Sequence, residues 1–82
     1  MKVTLYSKPD CHLCDDALLE LEHIARRTPF DIEVVDITTD AALLKKYGER
    51  IPVLQVGWRE YAAPLTREVI ERAVRVSTAG PR

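Results

Sequence analysis

Between Val3 and Ile37 the spacing of the apolar residues changes twice, and no other feature constrains the fold as strongly. Val3-Thr4-Leu5-Tyr6 is short, mostly apolar and β-prone, which predicts a strand. Ser7-Lys8-Pro9-Asp10 breaks it, with Asp10 the expected N-cap of a helix. From Cys11 to about Arg27, Cys14, Ala17, Leu18, Leu21, Ile24 and Ala25 recur at helical spacing. Asp15, Asp16, Glu20, Glu22 and Arg26 occupy the other faces, so the segment is an amphipathic helix. Acids in its first turns and Arg26-Arg27 in its last complement the helix dipole, and Thr28-Pro29 ends it. Ile32–Ile37 then returns to a β-branched, nearly continuous apolar run, of the character expected in a central strand. Two strands joined by a helix pair in parallel through a right-handed crossover.

The rest of the chain extends this unit. Thr38, Thr39 or Asp40 caps a short helix through Ala41–Tyr47, with Lys45-Lys46 in its last turn and Gly48 as the expected C′ residue. Pro52–Val56 is a third strand, and Gly57-Trp58 suits a tight turn into Arg59-Glu60-Tyr61. Trp58 and Tyr61 are expected to pack on that edge hairpin. Thr66 caps a last helix whose stripe is Leu65, Val69, Ala73 and Val76, with Ile70 and Val74 beside it. The order is β-α-β-α-β-β-α, an α/β chain. Helices on both faces of a four-stranded mixed sheet would bury all three stripes at once. Residues 1–76 are expected to form a single domain, and residues 77–82 a flexible tail.

Length and composition narrow the classes. At 82 residues the chain makes one small domain, which buries only about 60% of its unfolded surface. Small domains often lean on several disulfides or a structural metal. Two cysteines three apart cannot make such a framework, so the fold rests on its 46% of hydrophobic residues. No apolar run exceeds four residues, against the eighteen or so of a membrane span. The N-terminus has Lys2 but no apolar leader core, so a cytoplasmic location is expected. In that reducing compartment a close cysteine pair signals redox chemistry or metal rather than a structural bridge. A net charge of −1 gives no overall attraction to nucleic acid. The charges are nonetheless uneven: four Lys/Arg against nine Asp/Glu in residues 1–41, and eight against four in residues 42–82. That pattern reads as complementary, solvated helix surfaces, with an electronegative partner on the basic half as the alternative.

Cys11 and Cys14 sit where a strand turns into a long helix. Their separation puts both side chains on one helix face, within reach of a single S–S bond. Near the helix start Cys11 meets unpaired backbone N–H groups and the positive dipole end, which stabilise a thiolate. The thiolate is the species that attacks disulfides. Lys8 and a protonated His12 favour it, whereas Asp10, Asp15 and Asp16 oppose it. Cys14 lies deeper on the apolar stripe. Cys11 is therefore the expected nucleophile and Cys14 the resolving thiol. Zinc normally takes four ligands, the pair supplies two, and His12 points off their face, so no metal site is expected. A copper-chaperone fold also places such a pair after its first strand, but it ends in a strand where this chain has a helix.

Leu5-Tyr6-Ser7-Lys8-Pro9-Asp10-Cys11-His12-Leu13-Cys14 resembles the active-site segment of glutaredoxins, and Cys-His-Leu-Cys looks like that of small bacterial glutaredoxin-like proteins. Arg50-Ile51-Pro52-Val53 is similar to the family's Thr-Val-Pro segment, and the element order matches over residues 3–76. The resemblance implies a thioredoxin-like fold with strand order 2-1-3-4 and a cis Ile51–Pro52 bond beside the cysteines. It also implies substrate-binding roles. The backbone of Ile51 would pair with bound substrate, and Lys8 would face the glycyl carboxylate of glutathione. His12, by its charge and its place beside Cys11 rather than by the resemblance, would tune that thiol. Thr66, at the start of the last helix, would meet a carboxylate. Two departures stand out. Leu13 replaces a usual aromatic residue, and Tyr61–Arg67 lacks both the Gly-Gly turn and the acidic cap that hold the γ-glutamyl end.

The function so implied is a cytoplasmic, monomeric thiol–disulfide oxidoreductase acting on protein or glutathione mixed disulfides. It would hold no tightly bound cofactor and would draw electrons from glutathione as co-substrate or from a thioredoxin-type reductase. Neither nucleic acid nor membrane is an expected partner. The alternative is a non-catalytic thioredoxin-fold binding module, a metal or iron–sulfur carrier or a redox switch.

Overall fold

The computed structural model describes residues 1–78. Its axis is β1 (Lys2–Ser7), which is followed by α1 (His12–Ala25), β2 (Asp31–Asp36), a single 3-10 turn (Ile37–Thr39) and α2 (Ala41–Tyr47). Then come β3 (Val53–Val56), β4 (Arg59–Ala62) and α3 (Arg67–Thr78). The sheet runs β2-β1-β3-β4, with β1 parallel to β2 and antiparallel to β3, and β3 antiparallel to β4. This is the strand order that the resemblance implies.

Alternation along the strands divides the core between the two faces of the sheet. Val3, Leu5, Leu54 and Val56 meet Ala17, Leu21 and Ile24 of α1 and Ile70, Ala73 and Val74 of α3. The intervening residues turn the other way. Val53, with Tyr6 against it, packs beside Ile37 and Tyr47, under the 3-10 turn and α2. Tyr6 and Tyr47 stack with ring centroids 4.4 Å apart. Tyr47 donates its hydroxyl to Glu60 on β4, and Tyr6 donates to Gln55 on β3 at 2.8 Å. Burial first, and then the Glu60 carboxylate, push the Tyr47 phenol well above its ordinary value, so it stays a neutral donor.

Several expectations are corrected. β2 is an edge strand rather than a central one, because β1 lies between it and β3 and leaves its far side open. Val34 is paired beside Leu5 yet is 48% exposed. Its β-branched run therefore reflects strand propensity more than burial. α1 stops at Ala25, and Arg26 and Arg27 close the turn beyond it through N–H bonds to the carbonyls of His23 and Ile24. Asp40 alone caps α2, accepting from the N–H groups of Ala42 and Leu43. Gly48 comes after α2 at φ −50°, not in the left-handed region. A Cβ there would come 2.5 Å from the Leu44 carbonyl oxygen, so close approach is what requires glycine.

On α3 the buried stripe is Ile70, Ala73 and Val74, with Leu65, Val69 and Val76 at its margins. Gly57, at φ +63°, makes the hairpin turn. Trp58 beside it is 86% exposed instead of packed, whereas Tyr61 does pack on the core. α3 runs two residues past 76, and the remainder of the expected tail, 79–82, lies outside the described residues.

Ionic ties join the layers. Arg67 at the start of α3 reaches Glu20 on α1 through two bonds, Nε to Oε2 at 2.8 Å and Nη2 to Oε1 at 3.3 Å. The Arg67 hydrogen bond holds the Glu20 carboxyl below its ordinary value. Asp36 is held low in the same way by the Thr38 hydroxyl and N–H, at 2.6 and 2.9 Å. A carboxyl whose folded pKa is depressed adds stability that is fully present above its unfolded value and is lost as pH falls through the folded one. Acid destabilisation should therefore open near about pH 4 and deepen below it. Both groups meet solvent, so the effect is modest. Urea midpoints taken at neutral pH and at pH 3 should lie closer together for Glu20→Gln than for the wild type, and an unchanged gap would refute the assignment.

Candidate active site

The site is built where β1 hands over to α1. After Ser7 the chain turns through exposed Lys8, Pro9 and Asp10, and Asp10 takes φ +59°, a left-handed conformation that aspartate tolerates better than most residues. That turn delays the helix by one residue. Cys11, extended at φ −113° and ψ 103°, becomes the N-cap in place of Asp10. Its Sγ accepts the N–H of Cys14 at 3.2 Å, and its carbonyl accepts the N–H of Asp15 at 3.0 Å. A sulfur thus stands where a capping oxygen usually does.

Cys11 and Cys14 are joined as a disulfide, with Cα atoms 5.2 Å apart, inside the ordinary range for such a bond. The two sulfurs differ in setting. Cys14 is 3% exposed on the buried stripe of α1 beside Ala17 and Leu21, whereas Cys11 is only half-buried. In the dithiol, the Cys14 N–H and the start of α1 are placed to stabilise a Cys11 thiolate.

Pro52 lies at the same end of the sheet. It precedes Val53, which pairs with Tyr6 near the end of β1 and with Ala62 at the end of β4. The Ile51–Pro52 bond is cis, Pro52 is fully buried, and Ile51 packs on the Ile37–Tyr47–Val53 cluster. A groove of about 200 Å³ runs between Leu13 on α1, Pro52, and the segment from Ala63 to Thr66. Among the described residues Asp16 is its one charged lining residue. The Thr66 hydroxyl accepts the Val69 N–H at 3.2 Å and so caps α3.

The expected site residues are only partly brought together. Pro52 and Thr66 share the groove with Leu13, the neighbour of Cys14, whereas Cys11, Cys14 and Ile51 do not line it. Lys8 and His12 are exposed and stand outside the groove lining. Leu13, Asp16, Ala63, Pro64 and Leu65 join the site without a motif in the sequence to mark them; Leu13 is 64% exposed and the Ala63–Pro64 bond is also cis. A large apolar residue between two cysteines and off the helix stripe was the available signal. Among the described residues no group of three or more His, Cys, Asp or Glu could hold a metal ion. No helix among them is long and apolar enough to cross a membrane.

The family model described as a glutaredoxin-like domain (DUF836) matches residues 2–75. An X-ray structure of a structural-genomics target protein from X. campestris is 36% identical, with a TM-score of 0.77, over 96% of this chain and 99% of that one. The solution structure of the same protein is 38% identical, with a TM-score of 0.73, over 100% and 99% of the two chains. Thioredoxin 1 from the thermophilic eubacterium Thermosipho africanus TCF52B is 22% identical, with a TM-score of 0.64, over 95% and 99%. That last likeness bears on the fold alone, which is thioredoxin-like. No curated protein matches the sequence.

Proposed function

The chain belongs to the glutaredoxin-like domain family, and on that premise we propose that it is a thiol–disulfide oxidoreductase working through Cys11 and Cys14. The observation that carries this reading is the asymmetry of the pair. A half-buried sulfur at a helix start accepts a backbone N–H, and a buried sulfur lies one turn on, close enough to bond with it. In the reduced protein the Cys11 thiolate attacks one sulfur of a substrate disulfide, forming a mixed disulfide and expelling the other sulfur as a thiolate. Cys14, deprotonated, then attacks Cys11 Sγ, and the substrate's second sulfur leaves as a thiolate. The substrate gains two electrons and two protons, and the pair ends as the disulfide. The dithiol is restored by glutathione or by a thioredoxin-type reductase. We assign the protein to the cytoplasm as a monomer without a tightly bound cofactor.

Cys14→Ser separates the two routes. It should lose reduction of protein disulfides that need an intramolecular second step, and keep a single-thiol reaction in which free glutathione resolves the Cys11 mixed disulfide. Steady-state assays with and without glutathione check this, and undiminished activity without glutathione would remove Cys14 from the mechanism. The reduction potential of the pair distinguishes the electron donors. A value below about −270 mV suits a thioredoxin-like reductant, and one at about −200 to −230 mV a glutaredoxin. Stoichiometric iron or copper in anaerobically purified protein would replace this reading with a carrier role.

A further inference from the structure

The groove beside the cysteines has a size, polarity and charge that can be read for substrate class. At about 200 Å³ it is smaller than the roughly 300–1,000 Å³ of pockets that enclose a whole small ligand. A cavity of about 150 Å³ holds one benzene ring, so this groove accepts a single large side chain. Its walls are mainly apolar: Leu13, Pro52, Ala63, Pro64 and Leu65. Among the described residues no cation lines it, and its one charge is the Asp16 carboxylate. Arg67, at the start of α3, is already engaged with Glu20, and the Thr66 hydroxyl is engaged with Val69 N–H. A carboxylate placed here would meet Asp16 with no free cation in the lining to offset it. The groove adjoins the reactive pair through Leu13, which lines it and precedes Cys14 in α1.

We infer that this groove binds a large apolar side chain lying next to the reactive cysteine of a disulfide-bonded polypeptide, in preference to any part of glutathione. The inference rests on the redox reading above and names its substrate class. A polypeptide presenting leucine beside its cysteine gains burial against Leu13 and Pro64, whereas glutathione brings two carboxylates and no large apolar group. One apolar group in such a site is worth on the order of tenfold in rate or more.

The test uses pre-reduced protein and three mixed disulfides of thionitrobenzoate: with Gly-Leu-Cys-Gly, with Gly-Asp-Cys-Gly and with glutathione. In each reaction Cys11 bonds to the cysteine sulfur of the probe, the bond to thionitrobenzoate breaks, and that coloured thiolate leaves with the electron pair. The leucine peptide should react on the order of tenfold faster than both other probes. Leu13→Ser should bring the ratio towards one. Leu19→Ser, equally exposed on α1 at 63% but outside the groove, should keep it. Equal rates for the three probes, or faster reaction with glutathione, overturn the inference and leave the redox reading standing. Failure of every probe, with symmetric nitrobenzoate disulfide also inert, overturns the redox reading and this inference with it.

Discussion

Cys11→Ser is expected to reduce disulfide turnover to the uncatalysed background, a loss on the order of a hundredfold or more. A serine hydroxyl at position 11 still accepts the Cys14 N–H and still caps α1, so the fold should survive. What disappears is the ionisable sulfur, and a hydroxyl does not ionise near neutral pH to attack a disulfide. Cys14 cannot take over, because it is 3% exposed on the buried stripe of α1. Initial rates with a peptide disulfide, together with mass spectrometry for a trapped mixed disulfide, provide the readout. Cys14→Ser should trap an adduct through residue 11, the wild type should resolve it and end as the Cys11–Cys14 disulfide, and Cys11→Ser should form no adduct. Turnover by Cys11→Ser at the wild-type rate would move the nucleophile elsewhere and refute the mechanism.

The largest expected effect on stability comes from Leu54→Ala. Leu54 is fully buried on β3, between Leu5 of β1 and Tyr61 of β4, in the cluster that α1 and α3 cover. Truncation removes burial and leaves a cavity that a sheet pinned on both sides cannot collapse into, at a cost of about 2–5 kcal/mol. Domains of this kind are stable by roughly 5–15 kcal/mol, and one this small lies towards the low end. The loss is therefore a large share of the total. With a urea slope of about 1 kcal/mol per molar, the unfolding midpoint should fall by about 2 M or more. Leu19→Ala, at a site 63% exposed, should stay within about 0.5 kcal/mol of the wild type. A Leu54→Ala midpoint within error of the wild type would mean that β3 is not the centre of the core.

Most of the architecture was legible because apolar spacing is a local signal with a global consequence. The helical stripe of Ala17, Leu21 and Ile24 has one way to be buried once Val3 and Leu5 form a strand before it, and the structure places it there. Element ends were less legible. Asp10 has the chemistry of a cap, but the preceding Pro9 turn leaves it left-handed and passes the cap to Cys11. Likewise Ile32–Ile37 has the composition of a buried strand and lies at an edge, since composition cannot tell which side of β1 remains uncovered. Trp58 shows the same limit, as an aromatic residue left outside the core at a hairpin turn.

The candidate site divides along the same line. By itself the sequence determined the alternation of strands and helices, and the position of two cysteines one turn apart at a helix start. Both come from residue type and spacing over a dozen residues, where backbone geometry allows few alternatives. Only the tertiary structure decided that Pro52 and Thr66 face Leu13 across one groove, and that Lys8 and His12 stay outside it. Those relations join residues about 40 to 50 positions apart, and the pairing of β1 with β3 brings them to one end of the sheet. A groove of this kind belongs to no single segment, because its walls come from the packing of several.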